Sequence, residues 1–195
     1  MTRPTTSYDA VVLAGGRSRR MGTDKAHLPH PITKGPLLGH QFALLAKLSP
    51  APTKWFVSAR SGQALPAFPA QVKRLDDDGE SGPLGGIAKA LGATVAAHVL
   101  VIATDLPFLE KSLVEALLSI RVPGSGCCYK IADQAEPLVG LFPREFLATA
   151  SVKLSHRDLS VRRTITEWSN SGRWRLLDAG RSAHAFKNWN SPGDI

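Results

Sequence analysis

Val11 to Lys25 read VVLAGGRSRRMGTDK: an apolar run, two glycines, three arginines, a third glycine and an Asp-Lys pair. A buried strand that opens into a flexible cationic loop is a docking place for an anion. Gly15 and Gly16 let the backbone bend sharply and approach a ligand with no Cβ in the way. Their N–H groups can point at phosphate oxygens as an anion-binding nest. Arg17, Arg19 and Arg20 offer planar forks suited to phosphate, and Lys25 a compact point charge. The spacing is not that of a Walker A loop, because five residues separate Gly16 from Gly22 and Thr23-Asp24-Lys25 follow. Nor does it contain the Gly-x-Gly-x-x-Gly dinucleotide fingerprint. Read alone, the same residues also suit a basic, solvated turn after a strand.

A second group lies in VIATDLPFL, where Asp105 stands just past an apolar run and before Pro107. A carboxylate beside a docked phosphate is the kind of hard oxygen ligand that suits Mg²⁺, which keeps several waters and takes few protein ligands. The competing reading makes Asp105 a helix cap, but Ser112 with Glu115 forms a better capping box for the helix that follows. His27 and His30 sit among chain breakers and read as solvent-facing rather than as metal ligands. Cys127 and Cys128 are adjacent, so they make neither a disulfide framework nor a zinc pattern, and read as small buried strand residues.

These groups need a scaffold that brings loops together. DAVVLA (9–14) and HVLVIAT (98–104) are continuous apolar runs, suited to strands covered on both faces of a parallel sheet. KWFVSA and QVKRLD read as shorter strands. PLLGHQFALLAKL puts Leu38, Phe42 and Leu45 on one helical stripe, GPLGGIAKALGATV reads as a helix with a glycine-rich entry, and KSLVEALLSI as a third helix. Further on, GCCYKIA and EPLVGLF read as strands, PREFLATASVKL and residues 159–168 as helices, and RWRLLD and AFKNWN as closing strands. PHPITKGP (29–36) is too rich in breakers for anything but a surface loop. The β-α-β alternation predicts an α/β, Rossmann-like three-layer sandwich: a mostly parallel central sheet with helices on both faces. With no linker or repeat, residues 1–195 read as one domain, with halves of about 1–120 and about 121–195.

The chain of 195 residues has room for one sizeable α/β core. Its formal net charge of +8 favours anionic partners. The polar N-terminus lacks the apolar core of a secretory signal, and no apolar run nears the roughly 18 residues of a bilayer span. The expected setting is therefore the cytoplasm, with no membrane. Nucleic acid is disfavoured because no aromatic side chain interleaves the cations between Val11 and Lys25.

The string LAGGRSRRMGTDKAHL resembles the nucleotide-binding loop of the molybdenum cofactor guanylyltransferases, within the MobA-like nucleotidyltransferases, and matches from Leu13 to Lys25 almost without a gap. Gly82-Pro83-Leu84-Gly85-Gly86 resembles the second loop of that family, which opens a helix whose N-terminus attracts anions. The resemblance implies nucleotide contacts at Leu13, Ala14, Gly15, Gly16, Lys25, Ser58, Asp76, Gly82 and Asp105. Asp76, at a strand end, can accept two N–H bonds from the edge of guanine, while Asp77, Asp78 and Glu80 read as a solvated acidic turn. Asp105 falls at the Asp-x-Pro position that holds the metal in the family. KNWNSP resembles its closing Asn-x-Asn-Thr-Pro segment, so Asn188 and Asn190, on one side of a strand, would meet the acceptor; a plain turn is the competing reading. Glu136, Pro137, Arg157, Arg162 and Arg163 are lesser acceptor candidates, and the resemblance implies a nucleotide-binding half of about 1–120 and an acceptor-binding half of about 121–195.

What the resemblance implies is transfer of GMP from MgGTP to the terminal phosphate of molybdopterin, with Mg²⁺ (or Mn²⁺ in its place) on Asp105 and with Arg20 and Lys25 neutralising the phosphates. Cofactor-insertion proteins and apo-molybdoenzymes are the further partners that such a product implies. Leu13-Ala14-Gly15-Gly16 points to GTP, since relatives that transfer cytidylyl groups usually read Leu-Ala-Ala-Gly. The rivals are a transferase of the same fold with another base or acceptor, and a non-catalytic molybdopterin carrier.

Overall fold

The computed structural model describes residues 7–15 and 24–189. One seven-stranded sheet runs through it in the order β3-β2-β1-β4-β6-β5-β7. The strands are β1 (Tyr8–Leu13), β2 (Trp55–Arg60), β3 (Val72–Asp77), β4 (His98–Ala103), β5 (Gly126–Ile131), β6 (Gln134–Pro143) and β7 (Trp174–Asp178). All neighbouring pairs are parallel except those that β6 makes with β4 and β5.

β1 and β4 are buried along their whole length, which is why they read as unbroken apolar runs rather than alternating ones. Their side chains still alternate between faces. Ala10, Val12, Leu100 and Ile102 join the core layer beneath α1 (Leu37–Ala46) and α3 (Lys111–Ser119). Val11, Leu13, Val99 and Val101 join the opposite layer, beneath α2 (Gly82–Ala93), α4 (Phe146–Ser155) and α5 (Val161–Asn170). Helices therefore cover both faces, and the expected three-layer arrangement is what the chain adopts. Among the described residues no helix is long and apolar enough to cross a membrane.

The same alternation sends the adjacent cysteines apart: Cys127 enters one core layer and Cys128 the other. Burial pushes both thiols up to about 12, so neither is a thiolate at neutral pH. Cys128 accepts a hydrogen bond from the indole N–H of Trp174.

Three local expectations are corrected. Helix α3 begins at Lys111, so Ser112 lies inside its first turn and makes no cap; its hydroxyl donates to Glu110 instead, and Glu115 accepts from the Ser49 N–H and pairs with Lys111. Residues 185–189, expected within a closing strand, form none. Gly180–Phe186 is 3₁₀ helix, and the chain then crosses to the first loops, where Trp189 buries its ring with Leu28 and Leu37. His30 is not solvent-facing but buried: its Nε2 meets the Pro107 carbonyl at 2.9 Å and its ring stacks on His40 at 3.9 Å.

Two histidines make stability depend on pH. Burial holds His40 down to about 4, with His30 and Lys47 adding to the shift. Burial also lowers His98, whose Nε2 faces the Val122 and Ser125 carbonyls. Both groups bind protons more readily unfolded, where the ordinary value is about 6.5. Their stabilising effect is thus complete above pH 6.5 and is lost as pH falls below it, for His40 on the way to about 4. Between pH 7 and pH 5 the loss from His40 alone should be about 1 kcal/mol, after discounting for its partial exposure. Thermal or urea unfolding against pH measures it, and His40→Gln should remove a good part of that slope.

Candidate active site

β1 and β4 lie side by side where the strand order reverses, with Leu13 paired to Ala103. In open parallel sheets ligands bind outside the carboxyl ends of strands at such a switch point. The two strand ends are stitched together there. The Leu13 carbonyl accepts from both the N–H of Thr104, at 3.2 Å, and its hydroxyl, at 2.9 Å. Residue 105 is therefore delivered beside the first loop. The Lys25 ammonium lies 2.6 Å from Asp105 Oδ2, with side chains 30% and 14% exposed. Asp24 caps the short 3₁₀ turn Lys25–His27 by accepting from the Ala26 N–H, which aims Lys25 inward. Gly16, Arg17, Arg19, Arg20 and Asn190 lie outside the described residues.

Other predicted residues take different positions from those expected. The N–H groups of Ala14 and Gly15 both donate to the Ser58 carbonyl, at 2.8 and 3.1 Å, because pairing with β2 continues past the end of β1. The Gly15 N–H is thus engaged and does not join a nest. What Gly15 contributes is space: a Cβ there would come within 3.0 Å of Asp77 Oδ2. The Ser58 side chain is buried and donates to that same Asp77 oxygen at 3.1 Å, so it braces a carboxylate rather than lining the crevice. Gly86 packs over it, where a Cβ would sit 2.6 Å from Ser58 Oγ.

Asp77, not Asp76, is the carboxylate beside the first loop. Along β3 successive side chains face opposite ways, and Asp76 points outward, 55% exposed and paired with Arg74 at 2.7 Å. Asp77 is buried and accepts from Ser58 and from the Gly79 N–H, so it is no solvated turn residue. Asp78 is: it accepts from the Glu80 and Ser81 N–H groups and the Ser81 hydroxyl, and these bonds hold it down to about 2. Gly82 opens α2 with a φ of +55°, a backbone conformation that favours glycine.

Gln63 escaped the sequence reading. Its amide donates to the Ala14 carbonyl at 3.0 Å and to Asp24 Oδ2 at 2.5 Å, so one buried side chain ties together both flanks of the cationic loop. Its oxygen accepts from the Arg60 N–H. An isolated Gln in a Gly- and Pro-rich connection carries no signal in sequence.

A cavity of about 240 Å³ adjoins the crevice, lined by Pro83, Leu106, Glu136, Arg162, Phe186 and Asn188 among others. Of the three candidate arginines, Arg162 alone lines it. It pairs with Glu136 at 2.7 Å and donates to the Ala135 carbonyl. Burial raises the Glu136 carboxyl above its ordinary value, opposed by Arg162. Arg163 is engaged with Asp158, which also binds Lys153.

Among the described residues no group of three or more His, Cys, Asp or Glu gathers to cage a metal. A lone carboxylate beside an ammonium instead fits a hard divalent cation that arrives on phosphates and keeps its waters.

Residues 10–171 match the model of the MobA-like NTP transferase domain. The chain belongs to the MobA-like NTP transferase family. A protein of Chloroflexus aggregans named probable molybdenum cofactor guanylyltransferase is 31% identical over 192 residues, covering 95% of this chain and 90% of that one. The molybdopterin-guanine dinucleotide biosynthesis protein A of Archaeoglobus fulgidus superposes with a TM-score of 0.67 at 19% identity, over 94% of this chain and 93% of that one. The 2-C-methyl-D-erythritol 4-phosphate cytidylyltransferase of Thermus thermophilus shares the fold at a TM-score of 0.68 and 15% identity, over 94% and 93% of the two chains. This MobA-like transferase is thus an enzyme of nucleotidyl transfer.

Proposed function

We propose that this transferase moves GMP from GTP to the terminal phosphate of molybdopterin, giving the guanine dinucleotide cofactor and pyrophosphate. The observation that carries the reading is the meeting of Lys25 and Asp105 at 2.6 Å, across two strand ends and next to the cavity that holds Arg162 and Asn188. The names of the relatives supply the substrates. A phosphate oxygen of molybdopterin attacks the α-phosphorus of GTP in line, the bond from that phosphorus to the bridging oxygen breaks, and pyrophosphate departs with the electron pair. A divalent cation on Asp105, Mg²⁺ or Mn²⁺, would supply charge neutralisation to the triphosphate. Lys25 exchanges its bond to Asp105 for the phosphate chain and offsets the charge that builds on the leaving group. Arg162 and Asn188 hold the acceptor phosphate near the α-phosphorus, so that the reaction is driven by positioning rather than by a covalent intermediate.

The choice of guanine rests on Asp77, which takes over the role expected of Asp76. Its two carboxylate oxygens retain lone pairs for the N–H groups on the edge of guanine, and Gly15 leaves that carboxylate its room. Gly15→Ala would crowd Asp77 and should raise the KM for GTP about tenfold with a smaller change in kcat, since a reading contact rather than a reacting group is displaced. The assignment as a whole is tested by pyrophosphate release and product mass from purified protein, Mg²⁺ and molybdopterin with each triphosphate. GTP should be consumed. Turnover with CTP and none with GTP would reject the base, and tight molybdopterin binding unaffected by Asp105→Ala, without any turnover, would favour a carrier.

A further inference from the structure

The turn that carries Asp105 is held by its main chain. Four consecutive carbonyls, from Thr104 to Pro107, each accept a hydrogen bond from outside the turn. Gln41 Nε2 donates to Thr104 O at 3.4 Å and to Leu106 O at 2.9 Å. The Trp189 N–H donates to Asp105 O at 2.8 Å. His30 Nε2 faces Pro107 O at 2.9 Å.

Gln41 is conspicuous in its own helix. It is fully buried within LLGHQFALLA, among residues that otherwise supply apolar core. Its Oε1 has no partner among the described residues, which is an uncompensated desolvation that an apolar side chain would avoid. Turning the amide over would set its oxygen against two carbonyl oxygens, so both N–H bonds are dictated to the turn. His30 is oriented as strictly. Its Nδ1 accepts from the Ile32 and Thr33 N–H groups, which leaves Nε2 to carry the proton given to Pro107 O.

We propose that Gln41 and His30 are positioning residues for Asp105: by fixing the carbonyls of the 104–107 turn they set where the carboxylate stands opposite Lys25. The proposal rests on the reading that Asp105 binds the metal of the metal–GTP complex. Both side chains are buried beneath the turn. Partners that orient a metal ligand typically account for 10- to 100-fold in metal affinity or activity, and a small misplacement of a reacting centre has effects of similar size.

The test uses the full chain and Mn²⁺ as probe, with free Mn²⁺ read by electron paramagnetic resonance in the presence of a non-hydrolysable GTP analogue. Gln41→Met keeps the volume and removes the donors. It should weaken Mn²⁺ binding about tenfold or more and lower kcat alongside, with the KM for GTP within about threefold of the parent. Phe42→Leu, a core change in the same helix that leaves the turn alone, should lower the thermal midpoint without altering Mn²⁺ affinity. His30→Leu should behave like Gln41→Met, and His30→Gln, which retains a donor for Pro107 O, should recover much of the loss; this pair decides the matter if Gln41→Met does not fold. Parental Mn²⁺ affinity in folded Gln41→Met or His30→Leu overturns the proposal. Asp105→Asn separates the two levels. If it loses Mn²⁺ while the positioning variants do not, only the positioning role falls; if it too binds Mn²⁺ like the parent, the reading of Asp105 falls as well.

Discussion

Asp105→Ala should lower kcat for GMP transfer by roughly 10³-fold, about 4 kcal/mol of transition-state stabilisation. The size follows from the position of the carboxylate. It stands at the mouth of the β1/β4 crevice, 14% exposed, and its partner there is the Lys25 ammonium. Metal clamps on a transferring phosphoryl group contribute several kcal/mol, and removing the group that holds the metal forfeits most of that. The fold should survive, because the main chain of residues 104–107 is held by Gln41, His30 and the Trp189 N–H, none of which needs the Asp105 side chain. Steady-state pyrophosphate release, with circular dichroism to confirm folding, measures the effect. Asp105→Asn should be nearly as damaging, since it preserves shape and removes charge. Retention of more than about a tenth of the activity in either variant would be incompatible with a metal-binding role.

Lys25→Met should cost roughly 10²- to 10³-fold in kcat/KM, somewhat less than the loss of Asp105 because the metal-binding carboxylate is kept. Two further results distinguish a phosphate-binding role from a merely structural ion pair. Lys25→Arg should recover only part of the activity, since a planar fork does not replace a compact ammonium at a site built for one. Mn²⁺ affinity should not fall in Lys25→Met, because Asp105 is then released from its 2.6 Å partner. Equal weakening of Mn²⁺ binding in Lys25→Met and Asp105→Ala would mean that the pair acts only by holding the turn in shape.

Much of this could be read before the fold was in view, and the parts that could not share physical reasons. β1 and β4 announced themselves because strands covered on both faces carry unbroken apolar runs, and the loop and Asp105 follow those runs directly. Lys25 and Asp105 are 80 positions apart in the chain, yet the parallel pairing of β1 with β4 brings them together. Asp76 and Asp77 could not be separated by inspection, because the face of a strand residue flips with each position and three aspartates in a row carry no register mark. Gly15 and Gly82 were legible as glycines, but the Gly15 N–H goes to the Ser58 carbonyl, a matter of how far strand pairing extends. Gln41, Gln63 and His30 were silent for a common reason. Each acts chiefly through backbone groups, with Gln63 adding one bond to Asp24, and a bond to main chain leaves no partner residue type to recognise. The last segment read as strand from its alternation, but tertiary packing of Trp189 on Leu28 and Leu37 overrides that preference.

The proposed transfer takes place at one site, where a metal-bound triphosphate would join the end of β1 to the end of β4. Anomalous diffraction from crystals grown with Mn²⁺ and GTP tests it most directly. The predicted result is a manganese peak on an Asp105 carboxylate oxygen, bridged to the phosphate chain, with the Lys25 ammonium moved onto the phosphates and the guanine edge against Asp77. Manganese and nucleotide found away from Asp105, with the bond between Lys25 and Asp105 intact, would contradict it.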